Sequence, residues 1–267
     1  MIYEDGYRCA WRLCPVGEAT WSDAAGMGHV VSANVTRSID SDAPSIDSAD
    51  VELSAASPAV GSYVRLWMDA RQDGALARVP VVTGRVAPST SEVTGTLRTK
   101  SDVSVESVLK PAEDAKMDEG WYAPVGADGA AVAASLLRAS IKAPVTIDGG
   151  KRPLLKENVI AGTDTVLSVA WALVGETWEV ATDGMGVVHL RPRGATTATV
   201  RPSMLCSSLK EGTSDGRRTL DYTREWMDGV GVGTYVRVAG EDGLWRVVSQ
   251  RVNCGCGATV DETVKEV

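Results

Sequence analysis

The length of 267 residues fits one large all-β domain or two to three small domains. A composition of 44% hydrophobic and 23% charged residues is typical of a globular chain and excludes an intrinsically disordered one. The formal net charge of −8 disfavours a nucleic-acid-binding protein, because such proteins usually present a basic face.

The N-terminal segment and the hydropathy pattern disfavour two membrane-related classes. The segment MIYEDGYR has charged residues and no apolar run of seven, so an ordinary secretory signal peptide is not expected. No window approaches 18 uncharged apolar residues, so no transmembrane helix and no membrane insertion are expected. The sequence therefore predicts a soluble protein that is made in a cytoplasm.

The cysteines do not follow the spacing of a zinc site. There are five of them: Cys9, Cys14, Cys206, Cys254 and Cys256. Zinc sites usually contain two C-x₂₋₄-C pairs or a Cys/His quartet, whereas this chain has one pair within that range, C-x₄-C, and one C-x-C pair outside it. Neither His29 nor His189 stands near a second ligand in the sequence. We interpret the cysteines as reduced thiols, with a zinc site made by the two terminal pairs as the alternative.

The first section, up to about residue 110, has the alternation of half-buried strands. In HVVSANVTRS, the side chains of Val31, Ala33 and Val35 are predicted to share one buried face. GSYVRLWMDA continues this pattern, with Leu66 on the buried face and Arg65 and Asp69 on the other. Asp73-Gly74 predicts a hairpin turn before the return strand VPVVTGRV. Five or six strands at this short spacing predict a small antiparallel barrel or sandwich.

Residues 38–51 (SIDSDAPSIDSADV) form a strongly acidic segment without a basic residue. The segment contains four aspartates: Asp40, Asp42, Asp47 and Asp50. An EF-hand calcium loop counted from Asp40 needs an oxygen ligand at position 5, Gly at position 6 and Glu at position 12. This sequence has Pro44, Ser45 and Val51 there, so a calcium loop of this type is rejected and no metal ligand is predicted.

A bend between two strands is the preferred interpretation of this acidic segment. Asp and Ser side chains hydrogen-bond their own backbone in turns, and Pro44 fixes its own φ. Ile39 and Ile46 are predicted to turn inward and anchor the bend.

The middle of the chain has a different composition, with a domain boundary predicted near residue 111, where Pro and Gly become frequent. GADGAAVAASLLRAS predicts a helix over about 129–139 with Asp128 as its N-cap. VLSVAWALVGETWEVATDGMGVVHLRP predicts a helix over about 164–174 that ends at Gly175, followed by a hairpin over 177–192. We interpret this unit as a packing module and not as a cofactor site.

From about residue 195 the alternation of strands returns. GVGTYVRVAGEDGLWRVVSQRV predicts two strands joined at a Gly-containing turn, and TVDETVKEV predicts the last strand. The predicted organisation is therefore a β section at 1–110, a small α+β insertion at 111–194 and a second β section at 195–267.

Motifs of enzymes and cofactor-binding proteins are missing from the sequence. G-x-S-x-G, H-E-x-x-H, the P-loop and G-x-G-x-x-G do not occur, and the chain has only two histidines. The GVGVG segment at 229–233 precedes a strand and not a helix, so it predicts a turn and not a phosphate-binding loop. We therefore predict no catalytic, cofactor-binding or metal-binding residue and no enzymatic activity.

Four long stretches of the sequence carry a resemblance to a known family. They are VTRSIDSDAPSIDSADVELS, VVTGRVAPSTSEVTGTLRTKSDVSVESVLKPAEDAKMDEGWYAPVGADGAAVAASLL, VLSVAWALVGETWEVATDGMGVVHLRP and LWRVVSQRV. In this order they resemble the tail-tip or baseplate hub proteins of tailed bacteriophages with actinobacterial hosts, also called minor tail proteins. The resemblance implies a mainly β fold with two tail-tube-like antiparallel β-barrel domains and a small α+β insertion between them.

The resemblance also implies a structural role at the tip of the virion tail. In such hubs three copies form a ring, and the two barrels of each copy place six around the axis, so that the homotrimer joins a six-fold tube to a three-fold spike. The implied partners are the tail tube or distal tail protein, the tape measure protein, and a spike, fibre or tail-tip lysin. The acidic balance suits a channel through which DNA passes without sequence-specific binding.

Three other functions remain open from the sequence. The chain could be a distal tail protein or tube adaptor, or the matching hub of a phage-derived contractile injection system. A cell-wall hydrolase is the remote alternative, because no nucleophile or metal motif supports it.

Overall fold

The computed structural model describes residues 10–26, 29–39, 43–54, 57–72, 75–88, 101–159, 162–194, 197–203, 209–226, 229–254 and 258–267. Strands account for 50% of the structure and helices for 12%. The prediction of a mainly β fold with antiparallel sheets and a few helices is confirmed.

Seventeen strands and three helices are distributed over the described residues. The N-terminal part contains β1 (Ala10–Val16), β2 (Val30–Ser38), β3 (Ile46–Leu53), β4 (Tyr63–Gln72), β5 (Ala75–Val86) and β6 (Ser101–Ser107). The middle part contains α1 (Lys110–Asp114), β7 (Tyr122–Ala123), α2 (Gly129–Ser140), β8 (Val145–Ile147), β9 (Asn158–Val159), α3 (Val166–Val174), β10 (Trp178–Thr182) and β11 (Val188–Pro192). The C-terminal part contains β12 (Thr197–Val200), β13 (Lys210–Ser214), β14 (Arg217–Glu225), β15 (Tyr235–Val238), β16 (Trp245–Cys254) and β17 (Ala258–Glu266).

Twelve strands from the two ends of the chain form one continuous sheet. Its order is β1-β4-β5-β6-β3-β2-β16-β17-β14-β13, while β15 also pairs with β16 and β12 lies parallel to β15. The junction is the antiparallel pair of β2 with β16, in register from Ser38 opposite Ser249 to Ala33 opposite Cys254. Within the described residues neither β section closes its ladder into a barrel. The division of the chain into domains near residues 110 and 194 stays a prediction.

Hydrophobic side chains are buried in three clusters. The first β section surrounds a cluster that includes Leu13, Val35 and Leu66, each at most 1% exposed. The second β section surrounds a cluster centred on Trp245, which is fully buried. The helices and the small sheet β10-β11-β8 enclose the third cluster. Burial of apolar area in these clusters provides the main favourable free energy of folding.

The two longer helices have the ends that their sequences predict. Helix α2 begins after Asp128, whose carboxylate accepts hydrogen bonds from the amides of Ala130 and Ala131, and it buries its Ala-rich face against α3. Helix α3 begins at Val166, two residues after the predicted start, and its N-cap Thr165 forms a capping box with Ser168. It ends at Gly175, which has a φ of 65° that glycine adopts without strain.

Two side-chain orientations in β2 and β3 differ from the prediction. Val31 was predicted to be buried, but it is 48% exposed and Val30 is buried in its place. The register between β2 and β3 shifts between Val30 and Ser32, and this bulge reverses the alternation at that point. Ile46 was predicted to turn inward, but it is 52% exposed, whereas Ile39 is buried as predicted.

No helix among the described residues has both the length and the hydropathy needed to cross a membrane.

Candidate functional site

One side of the central sheet is a continuous polar surface. Strands β6, β3, β2, β16, β17 and β14 are neighbours in the sheet, and along each of them buried and outward-facing residues alternate. The outward-facing residues are almost all Ser, Thr, Asn, Asp, Glu, Arg or Lys. We call this six-stranded surface the polar face. It extends across the β2–β16 junction and so belongs to both β sections.

Cross-strand hydrogen bonds hold several carboxylates of the polar face in place. Among the described residues of this face, a hydroxyl donates to a carboxylate on the neighbouring strand in four pairs: Ser32 to Glu52 (3.3 Å), Ser104 to Asp50 (3.0 Å), Thr223 to Asp261 (2.6 Å) and Thr263 to Asp221 (2.6 Å). At the junction, Arg251 Nε donates to Asn34 Oδ1 over 3.0 Å. These pairs are exposed, so each stabilises the sheet only slightly, but together they fix the positions of the acidic groups.

The polar face carries more negative than positive charge. The acidic side chains on it are Asp50, Glu52, Asp102, Glu106, Asp221, Glu225 and Asp261. The basic ones are Arg217, Arg251 and Lys265. Because the polar face has seven carboxylates and three cations, it repels phosphate groups. No aromatic side chain of the described residues lies among these charged groups, so the face offers no stacking platform for bases.

The turn of the β10–β11 hairpin is bound by side chains of the first β section. The carbonyl of Met185 accepts from Arg65 Nη2 (2.9 Å) and from Trp21 Nε1 (2.8 Å), and the carbonyl of Gly184 accepts from the Thr83 hydroxyl (2.8 Å). Arg65 is 1% exposed. The hairpin is therefore a fixed part of the fold and not a free flap.

The acidic segment of the sequence provides a second contact with this hairpin. Asp47 is 2% exposed and forms an ion pair with Arg37 (3.1 Å), and the Thr182 hydroxyl donates to the same carboxylate. Arg37 Nη2 also donates to the Thr182 carbonyl over 2.7 Å. Asp47 thus links β2, β3 and β10.

The predicted bend is wrong for the second half of the acidic segment. Asp47 and Asp50 lie within β3, with Asp47 buried and Asp50 on the polar face. The alternation of strand β3 continues through them because each aspartate has a hydrogen-bonding partner on its own side of the sheet. Asp40 and Asp42 lie outside the described residues.

Glu179 joins the same hairpin to the second β section. It is 2% exposed and accepts from Arg191 Nε (2.8 Å) and from Arg246 Nη2 (2.9 Å). The hairpin is consequently bound to the first β section by hydrogen bonds and to the second by the buried Glu179–Arg246 ion pair. These contacts could not be predicted from the sequence, because local alternation does not indicate which buried charges meet.

A further ion pair is enclosed in the second β section. Arg224 Nε donates to Glu262 over 2.8 Å, and its Nη2 donates to the other oxygen of the same carboxylate. The Tyr222 hydroxyl (2.9 Å) and Gln250 Nε2 (2.6 Å) also donate to Glu262, which is 2% exposed. Burial and the adjacent Glu262 carboxylate raise the pKa of Tyr222 well above its usual range, so the phenol stays protonated.

His189 lies between two carboxylates at the edge of the hairpin. Its Nδ1 is 2.5 Å from Asp148 and its Nε2 is 3.2 Å from Asp183. The hydrogen bond to Asp183 raises the pKa of His189 against the opposing effect of burial, and Asp148 raises it further. Burial penalises the Asp183 carboxylate, but hydrogen bonds from His189 and from the Val187 amide keep the pKa of Asp183 below its usual value.

The His189 arrangement predicts a pH-dependent stability. Because the pKa of His189 is higher in the folded than in the unfolded chain, its stabilisation is present below the unfolded pKa and is lost as the pH rises through the folded pKa. We expect His189→Gln to lower the free energy of unfolding by about 1 kcal/mol at acidic pH and by much less at alkaline pH. Urea unfolding of both proteins across this range measures the difference. A difference in the free energy of unfolding that stays constant across this pH range would contradict the stabilising interaction of His189 with Asp183 and Asp148.

Metal-binding groups, the cysteines and the GVGVG segment are the other features of the sequence considered as candidate sites. Among the described residues, no group of three or more His, Cys, Asp or Glu side chains has an arrangement that could hold a metal ion. Cys14 is a buried thiol whose pKa is raised by burial. Three other cysteines, Cys9, Cys206 and Cys256, lie outside the described residues, so the zinc alternative is not tested. The GVGVG segment contains turns and leads into β15.

Solved structures of tail proteins have the same fold. The chain is similar to a tail protein from Neisseria meningitidis, with a TM-score of 0.66, 14% identity and 97% of each chain covered. It is similar to a 43 kDa prophage tail protein from Shewanella oneidensis, with a TM-score of 0.66, 13% identity, and 96% of this chain and 98% of that chain covered. The predicted resemblance to phage tail proteins is confirmed at the level of the fold.

A secretion-system protein is also similar. It is a type VI secretion component from E. coli, itself described as structurally similar to the T4 phage tail proteins gp27 and gp5. The TM-score is 0.61 at 10% identity, with 89% of this chain and 73% of that chain covered. No protein-family model matches the sequence, and no curated protein matches it.

Proposed function

We propose that the chain is a structural hub of a phage tail tip or baseplate. Three copies form a ring that joins the six-fold tail tube to a three-fold spike or fibre and surrounds the DNA exit channel. The observation that carries this proposal is the polar face, which spans both β sections without interruption in a fold shared with tail proteins. Two β sections in each of three copies supply six units around one axis.

In this proposal the polar face lines the channel. An excess of carboxylates held by cross-strand hydrogen bonds keeps double-stranded DNA hydrated and away from the wall, because DNA carries about one negative charge per 1.7 Å of its axis. DNA then passes through the channel and is not bound in a sequence-specific way. The partners are the tail tube or distal tail protein and the tape measure protein on one side, and the spike or fibre on the other. The location is the tip of the virion tail, and the role is not enzymatic.

The matching hub of a contractile injection system is the second candidate. The similarity to the type VI secretion component favours it, since that protein is described as similar to phage tail proteins as well. A distal tail protein or tube adaptor differs from both in that it would form a six-fold ring.

Charge reversal tests the assignment of the polar face. The triple variant Asp50→Lys, Asp221→Lys and Asp261→Lys makes the face basic, and we expect it to bind duplex DNA about tenfold more tightly than the unchanged protein at low salt. Fluorescence anisotropy of a labelled duplex at two salt concentrations measures the affinity. The binding should weaken steeply with salt.

A matched control variant makes the same change in net charge on a different surface of the protein. The triple variant Asp118→Lys, Glu157→Lys and Glu176→Lys changes three exposed carboxylates of the insertion. We expect it to bind DNA clearly less tightly than the variant of the polar face. Equal binding by the two variants, or tight binding by the unchanged protein, would contradict the channel assignment.

A further inference from the structure

We propose that a cationic pocket at one end of the polar face binds a carboxylate group of a neighbouring polypeptide. The pocket has a volume of about 260 Å³ and lies where β14, β15, β16 and β17 meet. Four cationic side chains line it: Arg193, Arg217, Arg246 and Lys265. Such a group of cations around a cavity is a site for an anion.

The charges inside the protein do not neutralise this pocket. Only two acidic side chains line it, Asp215 and Glu266, and Asp215 is taken by Lys265 at 2.7 Å. Arg246 is 8% exposed and shares the single carboxylate of Glu179 with Arg191, so these three groups together keep one positive charge. A buried excess of positive charge favours the entry of an anionic group.

Arg217 is the cation that is most available to a ligand. It is exposed at the start of β14, and among the described residues its guanidinium forms no ion pair. Arg193, by contrast, donates to the Trp178 carbonyl over 3.0 Å. An incoming carboxylate therefore meets Arg217 first without displacing an internal partner.

A second cavity next to the pocket indicates that the ligand is a polypeptide. This cavity has a volume of about 460 Å³ and shares Asp215, Val248 and Lys265 with the cationic pocket. Its lining includes an apolar part, with Ile39, Pro44 and the half-exposed Ile46, beside serine, threonine and charged side chains. A phosphate of DNA has no apolar group to place there, whereas an acidic residue beside an aliphatic one fills both cavities. The ligand class is thus a protein segment with a carboxylate next to an aliphatic side chain.

Peptide titration of the whole chain tests this proposal. The probe is acetyl-Leu-Asp-Leu-amide, and the uncharged comparison is acetyl-Leu-Asn-Leu-amide. In ¹⁵N–¹H correlation spectra, we expect only the Asp peptide to shift the Arg Nε–Hε signals, and Arg217→Gln to weaken its affinity about three- to fivefold. Lys265→Gln should weaken it as well. The control Arg251→Gln removes an exposed arginine of the polar face outside the pocket and should change little.

Three results would overturn the proposal. They are equal affinity for the Asp and Asn peptides, equal effects of Arg217→Gln and Arg251→Gln, and tighter binding of inorganic phosphate or duplex DNA than of the Asp peptide at these residues. The titration uses the isolated chain and does not depend on ring formation. Its failure would therefore leave the proposed hub function unaffected, and failure of the ring would leave the pocket unaffected.

Discussion

Asp47→Asn is expected to lower the free energy of unfolding by about 3 kcal/mol. The carboxylate of Asp47 is 2% exposed and is the ion-pair partner of Arg37, itself 5% exposed. Removing the negative charge leaves the guanidinium buried without compensation, and it also weakens the bond from Thr182 in β10. The loss should be measured by urea unfolding at neutral pH.

Asp50→Asn is the matched control for this prediction. Asp50 belongs to the same acidic segment and the same strand, but it is exposed and accepts a hydrogen bond from the exposed Ser104. We expect a loss of less than about 0.5 kcal/mol. The double variant Arg37→Met/Asp47→Leu should recover much of the lost stability, because replacing a buried pair by apolar groups is often tolerated. Equal effects of Asp47→Asn and Asp50→Asn would contradict the role of Asp47.

Glu262→Leu is expected to have the larger effect, a loss of about 4 kcal/mol. Glu262 is the acceptor for the guanidinium of Arg224, the hydroxyl of Tyr222 and the amide of Gln250. All three donors are buried, so the substitution leaves several unsatisfied polar groups next to an uncompensated charge. Thermal and urea unfolding should both show the loss.

The neighbouring residue provides the control for Glu262. Asp261→Asn changes an exposed carboxylate on the opposite side of the same strand, where it accepts from Thr223. Its expected effect is below about 0.5 kcal/mol. A stable Glu262→Leu protein with unchanged unfolding would show that the buried network is unimportant for the second β section.

Local patterns in the sequence predicted the helices, the strands and their ends better than they predicted which strands pair and which buried charges meet. The buried Ala33 and Val35 of β2, the Asp128 cap of α2 and the Gly175 end of α3 depend on residues close together in the chain, and the structure has them at the predicted places. The reversal at Val31 was not predictable, because a bulge is a property of the pair of strands.

The pairing of β2 with β16 could not be predicted from the sequence. These strands are about 200 residues apart, and alternation specifies which side of a strand is buried but not which strand lies beside it. The polar face was missed for the same reason, since its carboxylates come from both ends of the chain. The polar residues Arg65 and Asp69 were assigned to an outward face, but both are buried with ion-pair partners.

The symmetry of the assembled protein tests the hub proposal most directly. Electron microscopy of the purified chain should show a three-fold ring, with a mass near three times the 28.1 kDa of one chain. In that ring the polar face should surround the central opening, and both β sections of each copy should contribute to it. A six-fold ring, a monomer at all concentrations, or a three-fold ring with the polar face on its outside would contradict the proposal.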